Sequence, residues 1–435
     1  MAFRALLAAL VLIPSVAAAG DFFTLKGHGG PIKGIDVSPD GSRILTASFD
    51  FSVGLWRGKT PVWLEAHRAA VNAVRFVDRH RAVSAGDDFQ LYLWDLRTGK
   101  GRRLGGHQNK VNALELSPDG GTVAAASWDG SIGLWPLDGG KPRFLKGHRS
   151  NVSDVAFADD GKTLYSGSAD GTIRTWDPER GTRKRFFLRH GFGVNTLVLN
   201  DAATWLAYGS LDGTIRVVDA ETGNRIADFT SGRSPILAMA ADRDFATLAV
   251  GDGDGFIKVI DIRSWSVLRN FRATLRGPVW ALTFSADGRN IHAGGLDDAM
   301  YSWPVESLGR YERMTRGERS FLKKPATMSN GERQFQRKCS ICHALGPDGR
   351  RRAGPTLFGI FGRRAGTLAG YSYSRTLRGS DIVWNEGTID ALFDQGPDHY
   401  IPGSKMPMQR IVKPADRDDL IAFLKRATTD RENSR

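Results

Sequence analysis

Long hydrophobic runs are almost absent from this sequence. The one N-terminal run, residues 5–13, is too short to span a bilayer, and no later segment has the apolar length of a membrane helix. The mature protein is therefore expected to be soluble, with no membrane span. Arg4 before the run and the small residues 17–20 after it predict a secretory signal peptide, residues 1–19, cleaved after Ala19.

Cysteine is also scarce, since Cys339 and Cys342 are the only two among 435 residues. No cysteine lies near the cleavage site, which disfavours a lipid anchor. The signal peptide predicts a periplasmic protein, and in such an oxidising compartment a cysteine pair usually forms a disulfide. Whether this pair does so depends on the residues around it.

Acidic residues are outnumbered. The chain has 47 Asp and Glu against 60 Lys and Arg, which gives a formal net charge of +13 and a pI near 9.8. Excess basic charge favours acidic partners without specifying which. Because export argues against nucleic acid, the sequence predicts redox partner proteins with acidic docking surfaces.

One pattern occurs seven times between residues 22 and 304: an Asp, a short alternating strand, and then Trp or an aliphatic residue six positions after the Asp. Successive repeats are 38 to 43 residues apart, the period of a four-stranded propeller blade. The predicted fold is an all-β seven-bladed propeller over residues 20–306. The pairs are Asp50 with Trp56, Asp88 with Trp94, Asp129 with Trp135, Asp170 with Trp176, Asp212 with Val218, Asp254 with Ile260, and Asp297 with Trp303.

Five histidines stand upstream of these pairs, namely His28, His67, His107, His148 and His190. Together these features resemble the tryptophan-aspartate-repeat family, in which His, a strand Ser or Thr, Asp and Trp form a hydrogen-bonded chain that locks each blade. Buried polar groups are tolerated only when paired, so we interpret these residues as structural. That leaves no histidine cluster in the propeller for a metal. The chain is predicted to be complete in three blades, through His28, Ser48, Asp50 and Trp56; His107, Ser127, Asp129 and Trp135; and His148, Ser168, Asp170 and Trp176.

The last three blades depart from the pattern. Val218 and Ile260 replace Trp in blades five and six, and Gly295 stands at the Ser position of blade seven. We expect these blades to be looser. Residues 22–25 precede the first Gly-His without the strands of a blade, so they are predicted to form the outer strand of blade seven, beside the segment before Trp303.

A C-x-x-C-H motif, Cys339, Cys342 and His343, ends an amphipathic helical segment that begins near residue 331. Two thiols at this spacing can reach the two vinyl groups on one edge of a haem, and the adjacent imidazole can point at iron. A structural zinc site would need a second cysteine or histidine pair, and a thioredoxin-like dithiol would have no following His. A plain disulfide would leave His343 unexplained, so the motif favours haem.

The sequence after the motif resembles class I cytochromes c, including mitochondrial cytochrome c and bacterial cytochromes c2. This resemblance implies a small all-α domain with one covalently bound haem c. It is predicted to span residues 328–430, after a basic linker at 307–327 and before a tail at 431–435. The matching segments are residues 353–359, 361–364, 370–374, 382–384, 400–406 and 419–424.

The resemblance also implies roles for single residues. Met406, which follows Gly-Ser-Lys, matches the second axial ligand beside His343, and Met408 and His399 are its rivals. The Pro355 carbonyl would orient the His343 imidazole. The predicted cofactor-binding residues are Cys339, Cys342, His343, Met406, Pro355, Tyr371, Tyr373 and Trp384, of which His343 and Met406 bind the metal; Tyr373 and Trp384 match residues that bond a haem propionate, and Tyr371 lines the same side.

Further features of this domain follow from the same comparison. Gly331 and Phe335 on its first helix are expected to meet Phe423 on its last. Leu392 and Phe393 stand where the family often has a haem-facing Tyr. Basic residues would steer acidic partners to the haem edge or would be merely solvated charges; they are Arg350, Arg351, Arg352, Arg363, Arg364 and Lys405.

The sequence therefore favours an exported c-type cytochrome that transfers single electrons through a His/Met haem. Its propeller would be a scaffold for docking partners, with Phe49 and Trp128 as aromatic contacts. The alternative is a redox enzyme whose cytochrome domain feeds electrons to a reaction at the propeller or in a partner subunit. No catalytic residue is predicted, so a carrier is favoured over a catalyst. A third possibility is a non-redox scaffold with haem as a sensor, which an open sixth position would favour.

Overall fold

The computed structural model describes residues 21–230, 232, 234–273, 277–307, 328–340, 342–347, 352–371, 373–404, 406 and 409–429. The predicted signal peptide and the tail lie outside these residues, as does the predicted linker apart from Ser307. The domain boundaries therefore stay predictions. Across the described ranges, no helix combines the length and the apolar character that crossing a membrane requires.

Seven four-stranded antiparallel sheets follow one another along the chain, which confirms the predicted propeller. A short N-terminal strand, β1 (Phe23–Lys26), precedes them. The blades, each given from its first strand, are β2 (Ile32–Val37), β3 (Ile44–Ser48), β4 (Val53–Arg57), β5 (Thr60–Leu64); β6 (Val71–Phe76), β7 (Arg81–Gly86), β8 (Gln90–Asp95), β9 (Lys100–Gly106); β10 (Val111–Leu116), β11 (Thr122–Ser127), β12 (Ser131–Pro136), β13 (Arg143–Lys146); β14 (Val152–Phe157), β15 (Leu164–Ser168), β16 (Thr172–Asp177), β17 (Thr182–Arg189); β18 (Val194–Leu199), β19 (Trp205–Ser210), β20 (Ile215–Asp219), β21 (Arg225–Asp228); β22 (Ile236–Ala241), β23 (Thr247–Asp252), β24 (Phe256–Asp261), β25 (Ser266–Arg272); and β26 (Val279–Phe284), β27 (Asn290–Gly295), β28 (Ala299–Pro304).

The first strands of the blades form a closed ring. Each packs against the first strand of the next blade, and β26 packs against β2. The inner part of a blade is covered on both faces by its neighbours, so β15 is buried along its whole length. The outer strand β17 is mostly exposed, which explains its run of basic residues.

The ring closes through the N-terminal strand, as predicted. β1 pairs antiparallel with β28, with Phe23 opposite Ser302 and Lys26 opposite Ala299. This strand completes the sheet of β26, β27 and β28, so blade seven combines both ends of the propeller. The pairing removes two sheet edges that would otherwise be open to other chains.

The histidines of the repeats bond the turn aspartates, as predicted. His28 Nδ1 lies 2.9 Å from Asp50 Oδ2, and the same carboxylate accepts the Gly29 N–H at 2.8 Å. Equivalent His–Asp bonds of 2.8 to 3.3 Å join the other pairs, which are His67 with Asp88, His107 with Asp129, His148 with Asp170 and His190 with Asp212. These polar side chains are therefore structural.

We call the hydrogen-bonded chain of His, a strand Ser or Thr, Asp and Trp the lock of a blade. Its strand hydroxyl lies two residues before the predicted one. In blade one, Thr46 Oγ1 is 2.6 Å from His28 Nε2 and accepts the Trp56 indole N–H at 2.7 Å. Ser48 bonds the turn backbone instead, donating to the Gly30 carbonyl at 3.1 Å. Positions two apart share a strand face, but Thr46 lies opposite Gly54, where the missing side chain leaves room for both rings.

This correction changes which blades have a complete lock. Blade two, predicted to be incomplete, has one, since Ser84 Oγ lies 2.8 Å from His67 Nε2 and accepts the Trp94 indole N–H at 2.8 Å. In blade four, Ser166 takes this part in place of Ser168.

Blade three lacks the lock, against the prediction. Ala125 stands at the hydroxyl position, while Ser127 bonds the turn backbone. His107 Nε2 and the Trp135 indole nitrogen are buried, and neither has a hydrogen-bond partner among the described residues. Only the His107–Asp129 bond of the lock remains in this blade.

The C-terminal domain is helical. Its first and last helices cross at Gly331, where an added Cβ would collide with the Asp419 backbone and the Phe423 side chain. The rings of Phe335 and Phe423 lie 5.6 Å apart, which confirms the predicted contact. The helices are α1 (Asn330–Lys338), α2 (Arg375–Arg378), α3 (Glu386–Gln395), α4 (Pro397–Tyr400) and α5 (Pro414–Thr428).

Candidate haem site

The C-x-x-C-H motif forms a tight turn at the end of α1. The helix begins at its N-cap Ser329, whose side chain accepts the Glu332 N–H, and ends at Cys339. The Cys339 carbonyl accepts the N–H groups of Cys342, at 3.0 Å, and His343, at 2.8 Å. This winding holds the two thiols and the imidazole on one short stretch of chain.

Both cysteines are free thiols. Cys339 is buried, and Cys342 is partly buried. Burial raises the pKa of Cys339 to about 12 and that of Cys342 to about 11, so both sulfurs are protonated at neutral pH. Two thiols in one apolar wall match the two-sulfur attachment that the C-x-x-C-H motif predicts.

His343 is held in one orientation. Its Nδ1 lies 2.8 Å from the Pro355 carbonyl. A carbonyl can only accept, so Nδ1 carries the proton and Nε2 keeps its lone pair for a metal. Burial lowers the pKa of His343, although the hydrogen bond to Pro355 favours the charged ring, so the imidazole is neutral. A Cβ at Gly354 would collide with the ring, so glycine is required beside it.

A cavity opens beside these groups. Its wall contains every residue predicted to bind the cofactor, from Cys339 to Met406. The remainder is mainly apolar, and Leu392 and Phe393, at the position of the expected Tyr, are part of it. Two thiols, an oriented imidazole and an apolar interior fit a flat porphyrin better than a polar substrate.

Met406 lies in the cavity wall and is partly buried. Its rival His399 points away, since its side chain is 73% exposed and lies 3.1 Å from the Asp398 carboxylate. The second rival, Met408, lies outside the described residues. The geometry therefore favours Met406 over His399 as the donor opposite His343.

The aromatic side of the cavity is built around Tyr371 and Tyr373. Their rings pack edge to face at 4.7 Å, and the Tyr371 hydroxyl donates to the Ala353 carbonyl. Trp384 also lines the cavity, and its backbone N–H donates to the Arg363 carbonyl at 3.0 Å. Burial raises the pKa of Tyr373, so its hydroxyl is neutral and can donate to an anionic group.

The described members of the predicted basic cluster, Arg352, Arg363 and Arg364, each donate hydrogen bonds to other residues of the chain. Arg363 donates to the carbonyls of Phe358, at 2.9 Å, and Thr356, at 2.8 Å. Arg364 bonds Asp381 at 2.5 Å. Arg350, Arg351 and Lys405 lie outside the described residues. Steering of acidic partners by this cluster stays a prediction.

Sequence reasoning missed two kinds of cavity residue. The first kind is the apolar lining, such as Leu357 and Ile389, whose spacing looks like that of any helical core. The second is Phe51, which belongs to blade one of the propeller and still lines the cavity. Nothing in the repeat marks Phe51 for this role.

The cytochrome c family matches residues 328–428. Cytochrome c of Sesamum indicum and cytochrome c of Cannabis sativa are each 43% identical to this chain over 105 residues, which are 24% of this chain and 93% of each relative. Cytochrome c of Gossypium barbadense is 44% identical over the same share of both chains. The matched region contains the motif, His343, Met406 and every lining residue of the cavity except Phe51.

The WD domain, G-beta repeat family matches residues 21–57, 59–95, 100–136, 139–177 and 181–219. These matches cover the first five blades and end at residue 219, directly after Val218. The propeller and the helical domain are thus similar to two separate families. The matched region covers 93% of the length of these cytochromes c. Membership of the cytochrome c family implies one covalently bound haem c beside the WD-repeat propeller. Through residues 328–428, the chain belongs to the cytochrome c family.

Proposed function

We propose that this protein is an exported electron carrier that moves single electrons through a haem bound by His343 and Met406. The observation that carries the proposal is the shared cavity wall of Cys339, Cys342, His343 and Met406. A cytochrome c domain suggests electron transfer, and a WD-repeat propeller suggests a scaffold for protein interaction. The C-terminal domain would do the redox work while the propeller holds the partner.

Each residue of the site has a separate task. Cys339 and Cys342 would bond the porphyrin covalently through thioether links. His343 would present Nε2 to the iron, with Pro355 fixing the tautomer, and the Met406 sulfur would fill the opposite position. When bound, the haem supplies an iron that cycles between ferrous and ferric. His/Met ligation gives a higher reduction potential than bis-His ligation.

Export and acidic partners belong to the same proposal. The N-terminal residues 1–19 have the charge, apolar run and small-residue end of a secretory signal. The net charge of +13 favours an acidic donor or acceptor. We place the carrier in the periplasm, because the N-terminal segment would direct its export and the two cysteines would be used for haem attachment and not for a disulfide.

The proposed ligation is tested with Met406→Ala in the exported full chain. The ferric protein should show the long-wavelength thioether-to-iron charge-transfer band, and Met406→Ala should abolish it and lower the reduction potential. Met408→Ala is the matched control and should keep the band. A band that survives Met406→Ala but disappears in Met408→Ala would assign the ligand to Met408. A purified protein that keeps no porphyrin after denaturation would end the redox proposal.

A further inference from the structure

The residue after the turn Asp has left-handed backbone in six blades. Glycine, which adopts this conformation without penalty, occupies the position in four of them: Gly130 (φ 82°), Gly171 (φ 77°), Gly213 (φ 87°) and Gly255 (φ 89°). Phe51 (φ 70°) and Phe89 (φ 68°) occupy it in blades one and two. A bulky residue is strained in this region, and such strain clusters at functional sites. The left-handed backbone of both phenylalanines therefore needs a structural or functional explanation.

Phe51 has a partner that Phe89 lacks. The Phe51 side chain lines the cavity of the helical domain together with Cys339, Cys342 and His343. It is partly buried, whereas Phe89, at the same place in the next blade, is 36% exposed. The two turns share one backbone geometry, so the difference comes from what lies against Phe51. Blade one thus contributes Phe51 to the lining of the cavity.

A second contact joins the same two parts of the molecule. Arg352 Nη1 donates to the Ser340 carbonyl, between the two cysteines, at 3.1 Å. It also approaches the Gly29 carbonyl in blade one at 3.5 Å. The Gly29 N–H is bonded to Asp50, the residue before Phe51, at 2.8 Å. Arg352 therefore links the haem-attachment turn to the lock that holds the Phe51 turn.

We propose that the Phe51 ring of blade one closes the haem cavity, and that hydrogen bonds from Arg352 hold the two domains together at this point. The inference rests on the proposed function, because it concerns the same haem. An apolar ring in the cavity wall reduces the access of water to the site, and low polarity disfavours the more highly charged ferric state. The propeller is then part of the redox centre and raises its reduction potential, besides docking partners.

The Phe89 turn offers a matched control within the chain. Phe51→Gly and Phe89→Gly both place glycine where four other blades already have it, so both relieve the same backbone strain and neither should impair folding. Only Phe51→Gly removes a wall of the cavity. The comparison is made in the full haem-loaded chain.

Two measurements test the proposal. Phe51→Gly should shift the reduction potential downward and speed amide hydrogen exchange in residues 352–357, while Phe89→Gly should change neither. No change in Phe51→Gly, or equal changes in both variants, would overturn the closure by blade one. Neither substitution changes a proposed iron ligand, so the difference in hydrogen exchange between the two variants reports the domain contact, and the charge-transfer band of the unmutated protein reports the ligation separately. A missing band with faster exchange in Phe51→Gly would therefore reject Met406 and keep the domain contact.

Discussion

At the residue scale, Ala125 leaves two buried nitrogens of blade three without partners, His107 Nε2 and the Trp135 indole N–H, in the described part of the chain. Buried donors without partners lower stability. The corresponding Thr46 and Ser84 accept the indole N–H in blades one and two. Blade three therefore contains a defect that a single hydroxyl would repair.

Ala125→Ser should stabilise the propeller by about 1 kcal/mol, because its hydroxyl would accept the indole N–H and bond the imidazole. Urea unfolding followed by tryptophan fluorescence measures the change. Ala124→Ser is the control, since Ala124 is equally buried but on the opposite strand face, where its hydroxyl would have no such partners. Equal effects of the two substitutions would refute the proposed repair.

The prediction that Ser48 supplies the strand hydroxyl of the lock was wrong because the strand pattern leaves two candidates. Thr46 and Ser48 lie on one face of β3, so alternation alone does not choose between them. The choice is made by Gly54 on the neighbouring strand, which leaves room for two rings beside Thr46. The sequence predicts the members of a lock by type and spacing, but which hydroxyl they reach depends on packing between strands.

At the scale of elements, the helical domain depends on the close crossing of α1 and α5 at Gly331. Gly331→Ala should destabilise the domain by about 1–3 kcal/mol, because the new methyl group would collide with the backbone of Asp419. Denaturant unfolding followed by haem absorbance measures it.

Gly387→Ala in α3 is the matched control for this crossing. Its added Cβ meets only the Asn385 side chain, at 3.5 Å, so alanine should stabilise α3 by about 0.5–1 kcal/mol. Destabilisation of similar size in both variants would mean that the close crossing is not the cause.

The haem site could be predicted from the sequence because its residues belong to motifs within one domain. Cys339, Cys342 and His343 are adjacent in sequence, and the later residues follow motif spacing, so all line one cavity. Phe51 lies nearly 300 residues earlier, and its role depends on how two domains meet. No pattern within one domain reports that contact. The expected looseness of blades five, six and seven likewise stays a prediction.

At the scale of the whole molecule, the sheet that closes the propeller ring contains a buried titratable group. His292 on β27 packs against Phe23 of β1, with ring centroids 5.7 Å apart. Burial lowers the pKa of His292 to about 4. As pH falls below about 6.5, the unfolded chain takes up a proton that the folded chain does not, so stability falls until pH reaches about 4.

Because of His292, the free energy of unfolding of the propeller should fall by up to about 3 kcal/mol between pH 6.5 and pH 4. His292→Leu should remove that part of the pH dependence, as measured by urea midpoints at both pH values. The exposed His80 gives the control, His80→Gln, which should behave like the unmutated chain. An unaltered pH dependence in His292→Leu would exclude His292 as its source.

The pairing of β1 with β28 also has a kinetic consequence. The strands that close the ring are separated by most of the propeller sequence, so their pairing is among the least local contacts in the chain. During synthesis, six blades can form before blade seven is complete, and until then both ends of an open ring present bare strands. Closure is therefore the step at which refolding should slow and at which truncated chains should aggregate.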